Sequence, residues 1–324
     1  MNVKQQISRR LQQAERPVLI CHFSPDGDAL GTMLGLVIAL QKLGKQPDAI
    51  CQDPLPANFQ YLPGANRVLS RPAGNYDLIV SLDCSDARRM GTPYEILSSQ
   101  GKSIPIINID HHVTNLNFGE LNWVDPEAVA AAEMVLELIE LMGIALDPDL
   151  ATCLLTGIVT DTRGFRTANM SPKVMAAVAR LMEAGASLSE ITGSAFSHRP
   201  LAAVRLWDRA LSETHLDGRI LWCFITREMR VQSNYPTDGD AGLVGFLCDV
   251  SEADIAVVFT ERDDGEIDVG IRAIPGLDVS QVALSLGGGG HPQAAGCMLR
   301  TTLQEAVEIV LPRLQVAWQE QTGQ

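Results

Sequence analysis

The chain of 324 residues has no CxxC pair among its seven cysteines, and that number is odd. A disulfide framework or a zinc–thiolate site is therefore not expected. Most of the cysteines sit in apolar runs, such as Cys21 in VLICHF and Cys153 in ATCLLTG, and read as small buried hydrophobes. No apolar run approaches the roughly 20 residues needed to cross a bilayer. The best candidate, GTMLGLVIALQKLG, ends in Gln and Lys. The N-terminal stretch MNVKQQISRRLQQAERP has no apolar signal-peptide core, so a soluble, cytoplasmic protein without a membrane partner is expected. Basic residues are scarce too: 25 Lys and Arg face 39 Asp and Glu, a formal net charge of −14. That balance argues against a grip on long duplex nucleic acid. Small phosphorylated substrates stay open where bound cations reverse the local field. There is no internal repeat and no low-complexity segment.

What is present is a chain that is 46% hydrophobic and 20% charged, with length for two ordinary domains or one large one. In the first half, short apolar runs alternate with helical patterns. RPVLICHF, KQPDAICQ, YDLIVSLD and SIPIINID read as strands, and DALGTMLGLVIALQKLG as a helix. β-α alternation predicts an α/β fold, a parallel sheet with helices on both faces. The helical patterns PEAVAAAEMVLELIELMG, DPDLATCLLTGIVTD and SPKVMAAVARLMEAGAS follow. The pattern weakens through ASLSEITGSAFSHRP, and an inter-domain linker is placed over residues 189–211. It separates a first domain, 1–188, from a smaller α+β domain, 212–324. In the second, ADIAVVFTERDDGEIDVGIRA reads as two strands joined at Asp264-Gly265. AGCMLR reads as a strand, and VSQVALSLGGGG and TTLQEAVEIVLPRLQVAWQEQ as helices.

Acids and histidines gather where the apolar runs stop. The first run ends on His22, Asp26 and Asp28, YDLIVSLD on Asp83, and IPIINIDHH on Asp110, His111 and His112; Asp161 closes DLATCLLTGIVTD. Singly, each has an ordinary explanation: Asp28 could cap the next helix, and Asp83 could form a turn. Jointly, they read as a metal cluster, because ligands of open α/β sheets bind beyond the carboxyl ends of the strands. Carboxylates and imidazoles without thiolate suit Mn²⁺ or Mg²⁺ rather than structural zinc. The set is too large for one open catalytic ion and fits two ions sharing a carboxylate, an arrangement that clamps a phosphoryl group. Two divalent ions would neutralise four carboxylates, leaving about −10 of the formal −14. In the pair His111-His112, one ring can hold metal while the other faces substrate, with Asp110 orienting a ring.

Four motifs in this order, HFSPDGDALG, SLDCSD, NIDHHVTN and TGIVTDTRGF, resemble those of the DHH phosphoesterase superfamily. SLGGGGHPQAAG resembles the glycine-histidine motif of its DHHA1 domain. The resemblance covers nearly the whole chain and is nearest to the NrnA-like group of oligoribonucleases and pAp phosphatases. It implies a DHH domain followed by a DHHA1 domain that closes over the cleft. It assigns His22, Asp26, Asp28, Asp83, His111 and Asp161 as ligands of two ions, with Asp83 bridging. Mn²⁺ is the first choice, with Mg²⁺ or Co²⁺ as alternatives. His112 is implied to face the scissile phosphate, with Asp110 behind it. Arg272, Gly288, Gly289, Gly290 and His291 are implied to bind substrate. The implied substrates are short single-stranded RNA and nucleotides such as pAp, with linear or cyclic dinucleotide messengers as the alternative. Homodimer formation is left open.

Three positions depart from the family pattern: Thr32 and Ala273 where Ser is common, and Arg163 where Gly is common. Arg166, His198 and Arg199 are further cations that could reach the cleft, while His215 reads as a surface histidine in a hairpin.

Overall fold

Pro17–Cys21 and Leu78–Leu82 are buried at every position. A strand apolar on both faces needs cover on both, the condition that favours a parallel sheet. The computed structural model describes residues 2–99, 103–197 and 200–323, and the chain divides into two compact units, 1–198 and 199–324.

The first unit holds strands β1 (Pro17–Cys21), β2 (Asp48–Ile50), β3 (Leu78–Leu82), β4 (Ile106–Asp110) and β5 (Leu121–Val124). Their order is β2-β1-β3-β4-β5, all neighbours parallel. Its helices are α1 (Val3–Gln13), α2 (Gly27–Lys42), α3 (Thr92–Ser99), α4 (Ala131–Leu141), α5 (Pro148–Asp161), α6 (Pro172–Glu183) and α7 (Leu188–Thr192). One sheet face packs on α2, α4 and α5 in a large apolar core; the other is covered by Tyr76, Met90 and Leu97 of α3. α2 is buried almost all round, and glycine lets α5 approach it closely. A Cβ on Gly31 would stand 2.3 Å from the Cys153 carbonyl oxygen. The chain steps from β1 to β2 on one side, and then places β3 on the other side of β1. That switch opens a crevice beyond the carboxyl ends of β1 and β3.

The second unit holds α8 (Leu201–Ser212), β6 (His215–Asp217), β7 (Ile220–Ile225), α9 (Arg227–Ser233), α10 (Leu243–Leu247), β8 (Ile255–Glu261) and β9 (Ile267–Ala273). It continues with α11 (Ser280–Ser285), β10 (Gly289–His291), β11 (Ala294–Leu299) and α12 (Leu303–Thr322). The strands form a mixed sheet, β10-β11-β9-β8-β7-β6, with only β7 and β8 parallel. α11 and α12 cover one face, and α8 and α10 pack on the other.

The expected parallel sheet and the separate smaller α+β unit are both present. The hairpin at Asp264-Gly265 forms, with Gly265 at φ 87°. Several elements have no counterpart in the sequence reading, among them α1, α3, β5, α8 and α9. The segment 189–211 is largely helical: α7 and a following π-turn belong to the first unit. α8 buries Ala203, Leu206 and Ala210 in the second. The boundary between the units falls inside that segment, at residues outside the described ones, His198 and Arg199 among them.

Candidate metal centre

β1 delivers His22, β3 delivers Asp83, and β4 ends on Asp110 and leads into His111 and His112. α2 begins at the site, with Asp26 as its N-cap, and α5 ends there on Asp161. Among the donor groups these loops bring together are, first, His22, Asp26 and Asp83 and, second, Asp28, Asp83 and His111; Asp110 and His112 also close on Asp83. Asp161 joins the second, its Oδ2 lying 3.4 Å from His111 Nε2.

Asp83 belongs to both groups and divides its oxygens between them. Oδ2 lies 3.5 Å from His22 Nε2, and Oδ1 lies 3.5 Å from His111 Nε2. The backbone here is left-handed, φ 58°, a conformation that Asp tolerates better than most residues. Asp83 Oδ1 is buried and accepts no hydrogen bond. An orphaned carboxylate oxygen of that kind is costly unless a cation meets it.

The imidazoles are turned for ligation. His22 Nδ1 donates to the Phe23 carbonyl at 2.8 Å, and His111 Nδ1 to the Ala128 carbonyl at 3.2 Å. Each ring then presents its Nε2 lone pair to the carboxylates. The donor separations of 3.4–3.9 Å lie between the roughly 3.0 Å of neighbouring and roughly 4.2 Å of opposite ligands around an ion bound at about 2.1 Å. The residues present therefore fit a pair of divalent ions.

The titration shifts agree. Burial pushes Asp28 up, and the charge of Asp83 adds to it. Burial also lifts Asp161 to about 6, with Asp26 and Asp83 working in the same direction. Burial works against ionised Asp83 as well, but contacts from His111 and His22 outweigh it and hold its carboxyl well below the usual range. His111 is buried, which disfavours its charge, yet Asp161 and Asp83 raise it well above an ordinary histidine. Protonated imidazole thus plays the cation's part in the metal-free site, and metal binding must release those protons.

Asp28 does not cap its own helix; Asp26 does, accepting from the backbone of Asp28 and Ala29 at 3.0 Å each. Asp28 instead accepts from Ala131 N at 2.6 Å and Ala132 N at 3.0 Å. It thereby closes the start of α4, whose own N-cap position, Ala130, offers no side chain. Thr32 Oγ1 donates to Asp28 at 3.0 Å, so the departure from Ser keeps the hydroxyl in use. Ala273 lies in the buried core of the second unit, on the sheet face opposite Arg272, so a hydroxyl there would not stand beside that arginine.

His112 is placed differently from His111. Its Nδ1 donates to Asp110 Oδ1 at 2.7 Å, while Asn115 Nδ2 donates to Asp110 Oδ2. Asn115 also donates to the Cys84 carbonyl and accepts from Asn108. Sequence reasoning passed over Asn115 and Asn108, although an Asn in the middle of the apolar run IPIINID was a signal; the structure buries it fully. It also passed over Asp53, whose Oδ2 accepts from Ser24 N at 2.7 Å and steadies the loop between His22 and Asp26.

The second unit gathers the other candidates. Arg272 and His291 both pair with Ala294 across neighbouring strands, so their side chains leave one face of the sheet in a single row. Gly287 closes α11 with φ 82°. Gly288 and Gly290 are needed for close strand packing, since a Cβ would stand 2.0 Å from the Gly296 carbonyl and 2.4 Å from that of Ala294. His215 is exposed on a hairpin and stacks on Trp222, 4.4 Å between centroids.

Comparison with known proteins agrees with this architecture. The DHH family N-terminal domain matches residues 17–158, and the DHHA1 domain matches 223–315. The chain is 35% identical to the bifunctional oligoribonuclease and PAP phosphatase NrnA of Thermus thermophilus, over 94% of this chain and 91% of that protein. It is 25% identical to the protein of the same name in Bacillus subtilis, over 92% and 93%. An exopolyphosphatase-related protein from Bacteroides fragilis shares the fold with a TM-score of 0.82, at 23% identity, over 98% of this chain and 96% of that one. RecJ from Thermus thermophilus, solved with Mn²⁺, aligns with a TM-score of 0.54 at 12% identity, over 98% of this chain and 54% of its own. With this sheet, this cluster and these relatives, the chain belongs to the DHH phosphoesterase family, as a DHH–DHHA1 hydrolase of phosphate esters.

Proposed function

We propose that the chain is a divalent-metal phosphoesterase that hydrolyses short RNA oligonucleotides and nucleoside bisphosphates such as pAp, in the cytoplasm. The observation that carries the reading is the division of Asp83 between two donor groups, with His112 held just beyond them. The activities named for its NrnA relatives support the substrate class.

His22, Asp26 and Asp83 would hold one ion, and Asp28, Asp83, His111 and Asp161 the other; Mn²⁺ is the first candidate, Mg²⁺ and Co²⁺ the alternatives. Bound there, the ions would supply a nucleophile at neutral pH and charge stabilisation at phosphorus. The chain's own residues do the rest. Asp110 fixes the His112 tautomer so that Nε2 is the outward nitrogen, placed to give a proton to the leaving oxygen. Arg272 and His291, on one face of the second sheet, are proposed to take the far phosphate or terminus of the substrate, with Gly288, Gly289 and Gly290 shaping the backbone beside them. The net charge of −14 favours short substrates over long duplexes.

The test is turnover by EDTA-stripped protein, with and without Mn²⁺, across pAp, diribonucleotides, longer RNA, cyclic dinucleotides and pyrophosphate. Mn²⁺-dependent cleavage of pAp and diribonucleotides is expected. Metal-independent cleavage, or turnover confined to cyclic dinucleotides or pyrophosphate, would overturn the reading.

A further inference from the structure

A thiol pair lies beside the metal centre, and phosphoester hydrolysis has no use for it. Cys21 is the last residue of β1 and immediately precedes His22; Cys51 immediately follows β2. The two strands are parallel and in register, Ile20 opposite Ile50, so the next residues along, Cys21 and Cys51, lie opposite each other. Both side chains leave the same sheet face and enter the same core as Leu19 and Ala49. Neighbouring strands run about 4.7–4.9 Å apart, inside the roughly 4.4–6.8 Å between Cα atoms that a disulfide bridges.

Cys51 is also linked to the site and to the outside. Its thiol donates to the His22 carbonyl oxygen at 3.6 Å. It lines a cavity of about 350 Å³ with Asp53, Leu55 and Val68. Exposed Gln60, Asn66 and Ser70 share the lining, so the cavity opens to solvent.

We propose that Cys21 and Cys51 form an oxidation site, converted reversibly to a disulfide by a small peroxide entering this cavity, and that the disulfide weakens metal binding at His22. The Cys51 sulfur attacks the peroxide: an S–O bond forms, the O–O bond breaks, and the departing hydroxide leaves as water with the thiol proton. The Cys21 sulfur then displaces the hydroxyl group from Cys51; the S–S bond forms, the S–O bond breaks, and a second water leaves. Two thiols thereby give two electrons to one peroxide. Bonding draws the sulfurs to about 2.0 Å and removes the hydrogen that Cys51 donates to His22. The ring of His22 hangs from the backbone that this change pulls. The effect on metal rests on His22 being a ligand, as proposed above; disulfide formation does not.

The experiment treats reduced, metal-free, full-length protein with hydrogen peroxide, blocks the remaining thiols, and maps the linkage by intact mass and peptide mass spectrometry. Mn²⁺ is then titrated calorimetrically, before and after dithiothreitol. We expect loss of two hydrogens, a Cys21–Cys51 linked peptide, and affinity at one of two sites weakened on the order of 10-fold and restored by reductant. Cys51→Ser, and separately Cys21→Ala, should keep Mn²⁺ affinity through the same treatment. Absence of the linked peptide overturns the proposal, as does linkage that changes affinity less than twofold. Linkage in a protein that binds no Mn²⁺ before treatment overturns the metal reading and the second half of the proposal with it.

Discussion

Asp110 Oδ1 lies 2.7 Å from His112 Nδ1, and that contact decides which ring nitrogen faces outward. Burial works against a charged His112, but the charge and hydrogen bond of Asp110 prevail and raise its pKa above the ordinary value. A proton donor works below its pKa, so turnover should fall as pH rises through that raised value. In Asp110→Asn the raising charge is gone. The alkaline limb of kcat should move to lower pH, and kcat should drop about 10²-fold with Mn²⁺ affinity within threefold of the parent. Paired pH–rate profiles and Mn²⁺ titrations check this; an unmoved limb would count against His112 as the donor.

The adjacent histidines should fail in different ways. His111→Ala removes a nitrogen aimed at three carboxylates and should weaken Mn²⁺ binding by about 100-fold or more. His112→Ala should leave metal content unchanged and slow turnover by about 10²–10⁴-fold. Elemental analysis beside single-turnover rates separates the two, and matching defects would undo the division of labour.

Without metal, stability should decline as pH rises from 5.5 to 8. Asp161 has a folded pKa of about 6, above its unfolded value, so it is fully destabilising only above about 6. His22, His111 and His112 are raised as well. Their stabilisation is present below about 6.5 and is lost as pH climbs through their folded values. Both trends run the same way, and an ion among the carboxylates removes both. Added Mn²⁺ should therefore raise Tm more at pH 8 than at pH 5.5, which thermal scans of EDTA-stripped protein can read.

Arg163 has φ 52°, between Thr162 and two further left-handed residues, Gly164 and Phe165. A left-handed residue other than glycine is strained by roughly 1–2 kcal/mol, and the greater unfolded freedom of glycine takes back about 0.5–1 kcal/mol. Arg163→Gly should leave the fold intact and relieve up to about 1 kcal/mol of backbone strain, set against the loss of the contacts that the arginine side chain makes, as read in denaturant melts.

Gly288→Ala should do the reverse. Its new methyl group would meet the Gly296 carbonyl, which belongs to β11 and cannot swing aside as a side chain would. A loss of about 2 kcal/mol or more is expected from the forced strand shift, seen as a lower urea midpoint.

The residues that cluster at the candidate metal centre were legible in the sequence because they stand where apolar runs stop. LICH, VSLD and INIDHH carry that signal locally, and the sheet order then gathers what the runs deliver. The groups that steady them were not legible. Asp28 reaches Ala131 across 103 residues and Asp53 reaches Ser24 across 29, and such contacts leave no periodic trace. β5 was missed because LNWV is four residues long and buries only Trp123. α8 was missed because its buried stripe, Ala203, Leu206 and Ala210, is mostly small residues set among polar ones. The glycines of GGGGH suggested phosphate contact from sequence, and the fold adds an architectural reason for two of them.

Asp28 is tied to α4 by two backbone hydrogen bonds and also faces the candidate ion site. If Asp28 holds metal as proposed, selection for catalysis and selection for a folded chain fall on one carboxylate. Suppose a copy of this gene lost its catalytic role and drifted. Asp161, more exposed and at the last turn of α5, would be free to vary early, while Asp26 would be kept by its cap on α2. Asp28 would be held back by the helix it closes. Among inactive descendants, a surviving aspartate at this position would mark ancestry and stability, and would say nothing about retained activity.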